Sequence, residues 1–133
     1  MQNCRPPLIL IAADDQAVCD ALQFALRLEG FSVHAHREAR GLLADRDLPS
    51  ATCLIIDDRV PHLDGFQLLD HLRARNMPVP VILLTGHATG QVRSRAAGAG
   101  IRMVLEKPLL DNALLDGIRT VLGDTRAGSL LRS

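Results

Sequence analysis

The chain has 133 residues, a length that fits one domain able to bury about two-thirds of its unfolded surface without disulfide or metal staples. Hydrophobic residues make up 47% and Phe, with three copies, is the only aromatic, so Leu, Ile, Val and Ala must fill the interior. Fifteen basic residues balance fifteen acidic ones, which leaves no charge footprint for nucleic acid or an anionic membrane. No apolar run approaches the ~20 residues of a spanning helix. Met1 to Pro7 lacks the pattern of a secretory signal. Cys4, Cys19 and Cys53 are odd in number and have no metal-ligand spacing. Cys19 and Cys53 suit small buried apolar positions, and a reduced, cytoplasmic protein is the expectation.

In chain order, Leu8 to Ala12 is a continuous apolar run, as in a strand covered on both faces, and it ends at Asp14-Asp15. Residues 16 to 29 have helical spacing, with Val18, Leu22, Ala25, Leu26 and Leu28 as the apolar stripe and Gly30 as the stop. Phe31 to His36 alternates and predicts a strand near an edge, with Ser32, His34 and His36 on one side. Glu38 to Asp45 predicts a short helix, and Pro49 and Ser50 a loop. Thr52 to Asp57 predicts the third strand and Gly65 to Arg75 the third helix, with Asp64 as a candidate cap. Val81 to Thr85 predicts the fourth strand, Gly86 to Gly90 a loop and Gln91 to Ala97 a weakly apolar helix. Ile101 to Leu105 predicts the fifth strand, Leu109 to Leu122 a leucine-rich helix, and residues 123–133 a polar tail. Five strands alternating with five helices call for a doubly wound parallel sheet. The flavodoxin-like order 2-1-3-4-5 is expected, with one domain over residues 1–122 and no internal repeat.

Four strands end in polar residues: Asp14-Asp15, Asp57-Asp58, Thr85 and Lys107. In that order their carboxyl ends share one cleft, the edge at which open α/β sheets bind ligands. Clustered carboxylates repel unless a cation sits among them, and hard oxygen ligands favour Mg²⁺ or Mn²⁺. Asp57, left free to attack phosphorus, would form an acyl phosphate, while Lys107 and the metal neutralise phosphoryl oxygens and Thr85 hydrogen-bonds the product. Lys107 is the one Lys among fourteen Arg, which suits a compact ammonium placed for a task. The plainer readings are helix capping by Asp14-Asp15, a solvated turn at Asp57-Asp58 and a surface charge at Lys107. Likewise His34 and His36, two apart on one strand face, could bind a metal, but a solvated edge face is the simpler account.

Asp14-Asp15, Asp57 with Pro61, Asp64-Gly65, Thr85 and Lys107-Pro108, taken together over residues 7 to 122, resemble the CheY-like receiver domain of two-component response regulators. Thr85-Gly86-His87 and the run from 65 to 110 resemble the FixJ group in particular. The resemblance implies that Asp57 is the phosphoacceptor, since Pro61 and Asp64-Gly65 exclude Asp58 from that register. It implies Asp15 and Asp57 as direct Mg²⁺ ligands, Asp14 on a metal water, and the Arg59 carbonyl as a further ligand. Lys107 contacts the phosphoryl group, Thr85 is the switch hydroxyl, and Arg59 and His87 flank the attacking water. The implied partners are a sensor histidine kinase or phosphotransfer protein, and a protein target on the face of the fourth helix, fifth strand and fifth helix. A homodimer on phosphorylation is a further implication. No chemistry is implied beyond the chain's own phosphorylation and dephosphorylation. Two before Glu106 the family commonly has a rotating aromatic; here it is Val104, so the Gly86–Gly90 loop and the fourth helix are the expected carriers of change. Alternatives are the receiver part of a FixJ-like DNA-binding regulator, a pseudo-receiver that only binds, and an Asp-nucleophile phosphatase. The last would need an Asp-x-Asp signature that the first strand lacks.

Overall fold

The structure, a computed structural model, describes residues 7–60, 63–77, 79–107, 114 and 116–122. Strands β1 (Leu8–Ala12), β2 (Ser32–His36), β3 (Cys53–Asp57), β4 (Val81–Thr85) and β5 (Met103–Glu106) form one sheet in the order β2-β1-β3-β4-β5. Every pairing in it is parallel. Helices α1 (Gln16–Leu28), α2 (Ala39–Leu43), α3 (Gly65–Ala74) and α4 (Gly90–Gly98) alternate with the strands. A final helix, α5, is described at 114 and 116–122. A 3-10 turn, Leu48–Ser50, precedes β3, and a two-residue hairpin pairs Arg59–Val60 with Leu63–Asp64 ahead of α3.

The period of two along each strand sorts its side chains onto two cores. Ile9, Ile11, Ile55, Ile82 and Leu84 pack with Cys19, Leu22 and Leu26 of α1 and with Ile118 and Val121 of α5. Leu10, Leu54, Ile56 and Leu83 pack with Leu42 of α2, Leu68 and Leu72 of α3, and Ala96 of α4. Two helices therefore cover one face and three the other, which is why β1, β3 and β4 carry almost unbroken apolar runs. Gly117 brings α5 close to the sheet: a Cβ there would meet the Met103 sulfur at 2.7 Å.

Several boundaries differ from the expectation, each for a local reason. Thr52 lies just ahead of β3, with its amide and hydroxyl both donating to the Leu8 carbonyl, at 2.8 Å each. Phe31 belongs to the end of α1: its amide donates to the Leu26 carbonyl and that of Gly30 to Arg27, with Gly30 at φ +93°. Helix α2 is shorter than the predicted 38–45, with Glu38 as its leading cap residue. Helix α4 gains a residue at each end, since the Thr89 hydroxyl accepts the Val92 amide at 3.2 Å. Ile101 is buried but closes α4 through its amide to the Ala96 carbonyl, so β5 starts at Met103. On α1, Leu28 leaves the predicted stripe and is 70% exposed. It stands about 200° round the helix from Leu26, and Cys19 joins the buried stripe in its place. Cys4, Pro61, His62, Pro108, the start of the leucine-rich segment and the tail 123–133 lie outside the described residues.

The edge face of β2 is not simply solvated. Asp45, arriving from the turn after α2, meets both imidazoles through one oxygen: Oδ2 is 3.0 Å from His34 Nδ1 and 2.7 Å from His36 Nε2. Its Oδ1 accepts the Asp47 amide at 2.8 Å. Burial alone would raise the Asp45 carboxyl, but the Asp47 amide, His36 and His34 outweigh it and hold the group below its usual value.

Both described cysteines are buried and free. Burial pushes the Cys53 thiol up to about 12. An unfolded thiol ionises near ~8.5, so the stability tied to the neutral form is complete below that pH and falls as pH rises toward the folded value. At pH 8 we expect iodoacetamide to leave Cys19 and Cys53 unmodified in the folded chain and to alkylate both in urea, as peptide mass mapping would read. Rapid labelling of either without denaturant would contradict this packing.

Candidate functional site

The sheet's carboxyl edge is set by strand register. Asp57 is the last residue of β3, opposite Leu84, and its side chain is 3% exposed. Ala12 pairs with Ile56, so β1 runs out level with Asp57 and delivers Asp14 and Asp15 just past the edge. Thr85 ends β4 opposite Glu106 of β5, and the next residue, Lys107, gives its amide to the Thr85 carbonyl at 2.8 Å. From there its flexible stem spans β4, and Nζ donates to Asp57 Oδ2 at 2.7 Å. Strand neighbours lie about 5 Å apart, and residues separated by 50 positions in the chain thus meet in one ion pair.

Asp58, the next residue, turns the other way. The Thr85 hydroxyl donates to its Oδ2 at 2.6 Å and accepts the His87 amide at 3.2 Å. Asp58 Oδ1 is buried and has no hydrogen-bond partner among the described residues. The two adjacent carboxylates therefore have separate partners: Asp57 takes the ammonium, Asp58 the hydroxyl. The sequence assigns Asp58 no role beyond excluding it from the acceptor register, because its contact with Thr85 crosses strands.

Asp14 and Asp15 are both exposed. Asp15 caps α1, its Oδ1 accepting the Ala17 amide at 2.8 Å and the Val18 amide at 3.4 Å. The capping expected as a plainer reading is thus present, and it engages one oxygen of the two. Arg37, unnoticed in the sequence, braces this loop from the end of β2: Nε donates to the Asp14 carbonyl at 3.0 Å and Nη1 to Gln16 Oε1 at 3.1 Å. Nearby, burial raises the Cys19 thiol; Arg37 opposes the shift, while Asp20, Asp15 and Asp57 add to it. The charges of Asp15 and Asp57 thus act on one interior point. Among the described residues, the His, Cys, Asp and Glu ligand atoms lying mutually within 4.8 Å belong to His34, Asp45 and Asp47, not to the rim acids. Arg59 is described in its backbone, on the hairpin that follows Asp58. Carboxylates and backbone carbonyls, with no thiolate or imidazole in the set, suit a hard divalent cation.

A family model described as the response regulator receiver domain matches residues 9–119, and the chain belongs to that family. It is 33% identical over 114 residues to the transcriptional regulatory protein FixJ of Bradyrhizobium diazoefficiens, covering 86% of this chain and 56% of that protein. With FixJ of Azorhizobium caulinodans the identity is 36% over 111 residues, covering 83% and 52%. The chain spans about half the length of these relatives. Among solved structures, FixJ-N superposes with a TM-score of 0.76 at 29% identity, covering 92% of this chain and 95% of that one. The receiver domain of a LuxO repressor protein from Vibrio parahaemolyticus reaches 0.84 at 19% identity, covering 96% and 98%, which bears on the fold alone. The family is a bacterial two-component signalling module rather than a conventional enzyme, and its members generally bind Mg²⁺ at an acidic pocket. Among the described residues, no helix is long and apolar enough to cross a membrane.

The Thr85–Asp58 contact has a direct energetic test. Thr85→Ala strips the half-buried Asp58 carboxylate of the hydroxyl on its Oδ2 and is expected to cost about 1–3 kcal/mol of stability. Asp58→Ala/Thr85→Ala should cost less than the two single changes combined, and urea unfolding of the full cycle measures the coupling. Additive single changes would show that the contact is not made in solution.

Proposed function

We propose that the chain is a phosphorylation switch in which Asp57 accepts a phosphoryl group from a sensor histidine kinase or a phosphotransfer protein. The observation that carries this reading is the Lys107 ammonium 2.7 Å from the carboxylate of a buried Asp57 at the sheet's carboxyl edge. An Asp57 oxygen attacks phosphorus, the P–N bond to the donor imidazole breaks, and the ring nitrogen leaves with the electron pair. Lys107 then offsets charge on an equatorial phosphoryl oxygen, and transfer rests on positioning and charge stabilisation. Asp15 and Asp57 would hold Mg²⁺, with Asp14 on one of its waters and the Arg59 carbonyl as a further ligand. The ion supplies charge neutralisation between the carboxylates and the incoming phosphate. For Asp15, the oxygen not engaged in capping α1 is available for that role. Arg59 and His87 would flank the water that later hydrolyses the acyl phosphate.

Thr85 would turn its hydroxyl from Asp58 to the phosphoryl group, freeing the Asp58 carboxylate and pulling the loop that starts at Gly86. Val104, half-buried against the core shared by α2, α3 and α4, has no ring to swing. Helix α4 is a natural carrier of the change because it is lightly held: Ala96 is its one buried side chain. A further tie is the Arg95 guanidinium 3.9 Å over the Phe66 ring of α3. The added group brings about −1.5 to −2 charge. The α4-β5-α5 face would then present a different surface to a protein target, or to a second phosphorylated copy.

A second reading is supported by the share of the relatives that is covered: the chain corresponds to the receiver part of a FixJ-like DNA-binding regulator. A coding sequence that continues past Ser133 into a helix-turn-helix domain would establish it.

Acetyl phosphate with Mg²⁺ should add one phosphoryl group, read by intact mass. EDTA should block the addition, and Asp57→Ala should abolish it. Persistent labelling of Asp57→Ala would place the acceptor elsewhere. If the chain resists both acetyl phosphate and the kinases of its own bacterium, and beryllofluoride leaves its spectrum unmoved, the fold serves only as a binding module.

A further inference from the structure

We propose that His34, Asp45 and Asp47 form a second metal site, on the outer edge of the sheet, for a borderline transition ion of the Zn²⁺ class, with His36 holding Asp45 in place. The site stands on β2, at the far edge from β5 in the strand order, and does not depend on the phosphorylation reading.

Each of the three residues offers one ligand atom, and these atoms lie within 4.8 Å of one another. His34 Nδ1 is 3.0 Å from Asp45 Oδ2, and the Asp47 carboxylate lies across the ring, its Oδ2 4.0 Å from His34 Nε2. Ligand bonds to Zn²⁺ are about 2.0–2.2 Å, so tetrahedral donors stand roughly 3.3–3.5 Å apart. Closing the site needs an inward turn of Asp47, whose side chain is 59% exposed. The Asp45 side chain, by contrast, is 8% exposed and fixed from both ends: Oδ1 by the Asp47 amide, Oδ2 by the two imidazoles. Two carboxylates match the charge of a divalent ion, and an imidazole in the set selects Zn²⁺, Ni²⁺ or Co²⁺ over Mg²⁺.

His36 completes the arrangement from behind. Its Nε2 is 2.7 Å from Asp45 Oδ2, so it donates to the ligating carboxylate, the supporting contact that metal sites commonly carry. The ring rests against α2 at Gly41, where a Cβ would come within 3.0 Å of His36 Nδ1. Any larger residue at 41 would displace the ring. The ion would staple the turn after α2 to the sheet edge.

The test is a Zn²⁺ titration of the full chain in excess Mg²⁺, added to compete for the acidic rim. We expect one equivalent by calorimetry, with imidazole ¹⁵N shifts at His34 and His36 and none at His71 or His87. His34→Ala should abolish binding, and His36→Ala should weaken it about tenfold. Because changes on β2 could disturb the edge, Asp47→Asn serves as the exposed variant: it should bind at least about tenfold more weakly with an unchanged circular dichroism spectrum. Unmoved His34 and His36 resonances, or full affinity in His34→Ala or Asp47→Asn, would overturn the site.

Discussion

The Lys107–Asp57 ion pair is the contact on which the rest of the site depends. A carboxylate 3% exposed to solvent needs a compensating charge, and the ammonium arrives from a strand two places away in the sheet. Its position requires β4 to lie between β3 and β5 in parallel register, with Lys107 anchored through its amide to Thr85. The pair thus reports the register of three strands at once. It is also the contact that an incoming phosphoryl group would compete for, because the ammonium has donors to share and the carboxylate is the nucleophile in our reading.

The neighbouring Thr85–Asp58 pair divides the labour at the end of β3. Asp57 closes β3 and Asp58 follows it, and the two meet different groups: Lys107 on Asp57 and Thr85 on Asp58. Asp58 ends with one oxygen on the hydroxyl and one buried oxygen unmatched among the described residues. Leaving a buried acceptor unmade is unfavourable. Such a group is poised to lose or gain a partner when the hydroxyl moves. Beyond it, α4 adds little apolar anchoring, so a change at Thr85 meets low resistance on that side.

The opposite edge of the sheet works by different means. An edge strand exposes unpaired backbone groups, and charged or polar side chains over it discourage pairing with another chain. Here the His34–Asp45–His36 bridge ties the α2 turn to β2, and Gly41 makes room for the second ring. Two of these groups, His34 and Asp45, are also ligands in the metal site we propose with Asp47. The rim acids, by contrast, are hard oxygen donors held apart by capping and ion pairing.

Much of the molecule was legible in the chain. The apolar runs at 8–12, 53–57 and 81–85 and the leucine spacing of α1 and α3 are local periodicities, and they specify element type and alternation because burial acts on every second or every third to fourth residue. The acids, Thr85 and Lys107 were legible as strand-end residues for the same reason. Partners were not. That Lys107 meets Asp57, that Asp58 takes the Thr85 hydroxyl, that Arg37 braces Asp14 and that Asp45 joins two histidines are contacts between distant segments. They depend on strand order, register and the direction each side chain takes, and no pattern along a single segment carries that information. The exposed Leu28 and the late start of β5 are local in origin, from helix phase and a helix-closing hydrogen bond.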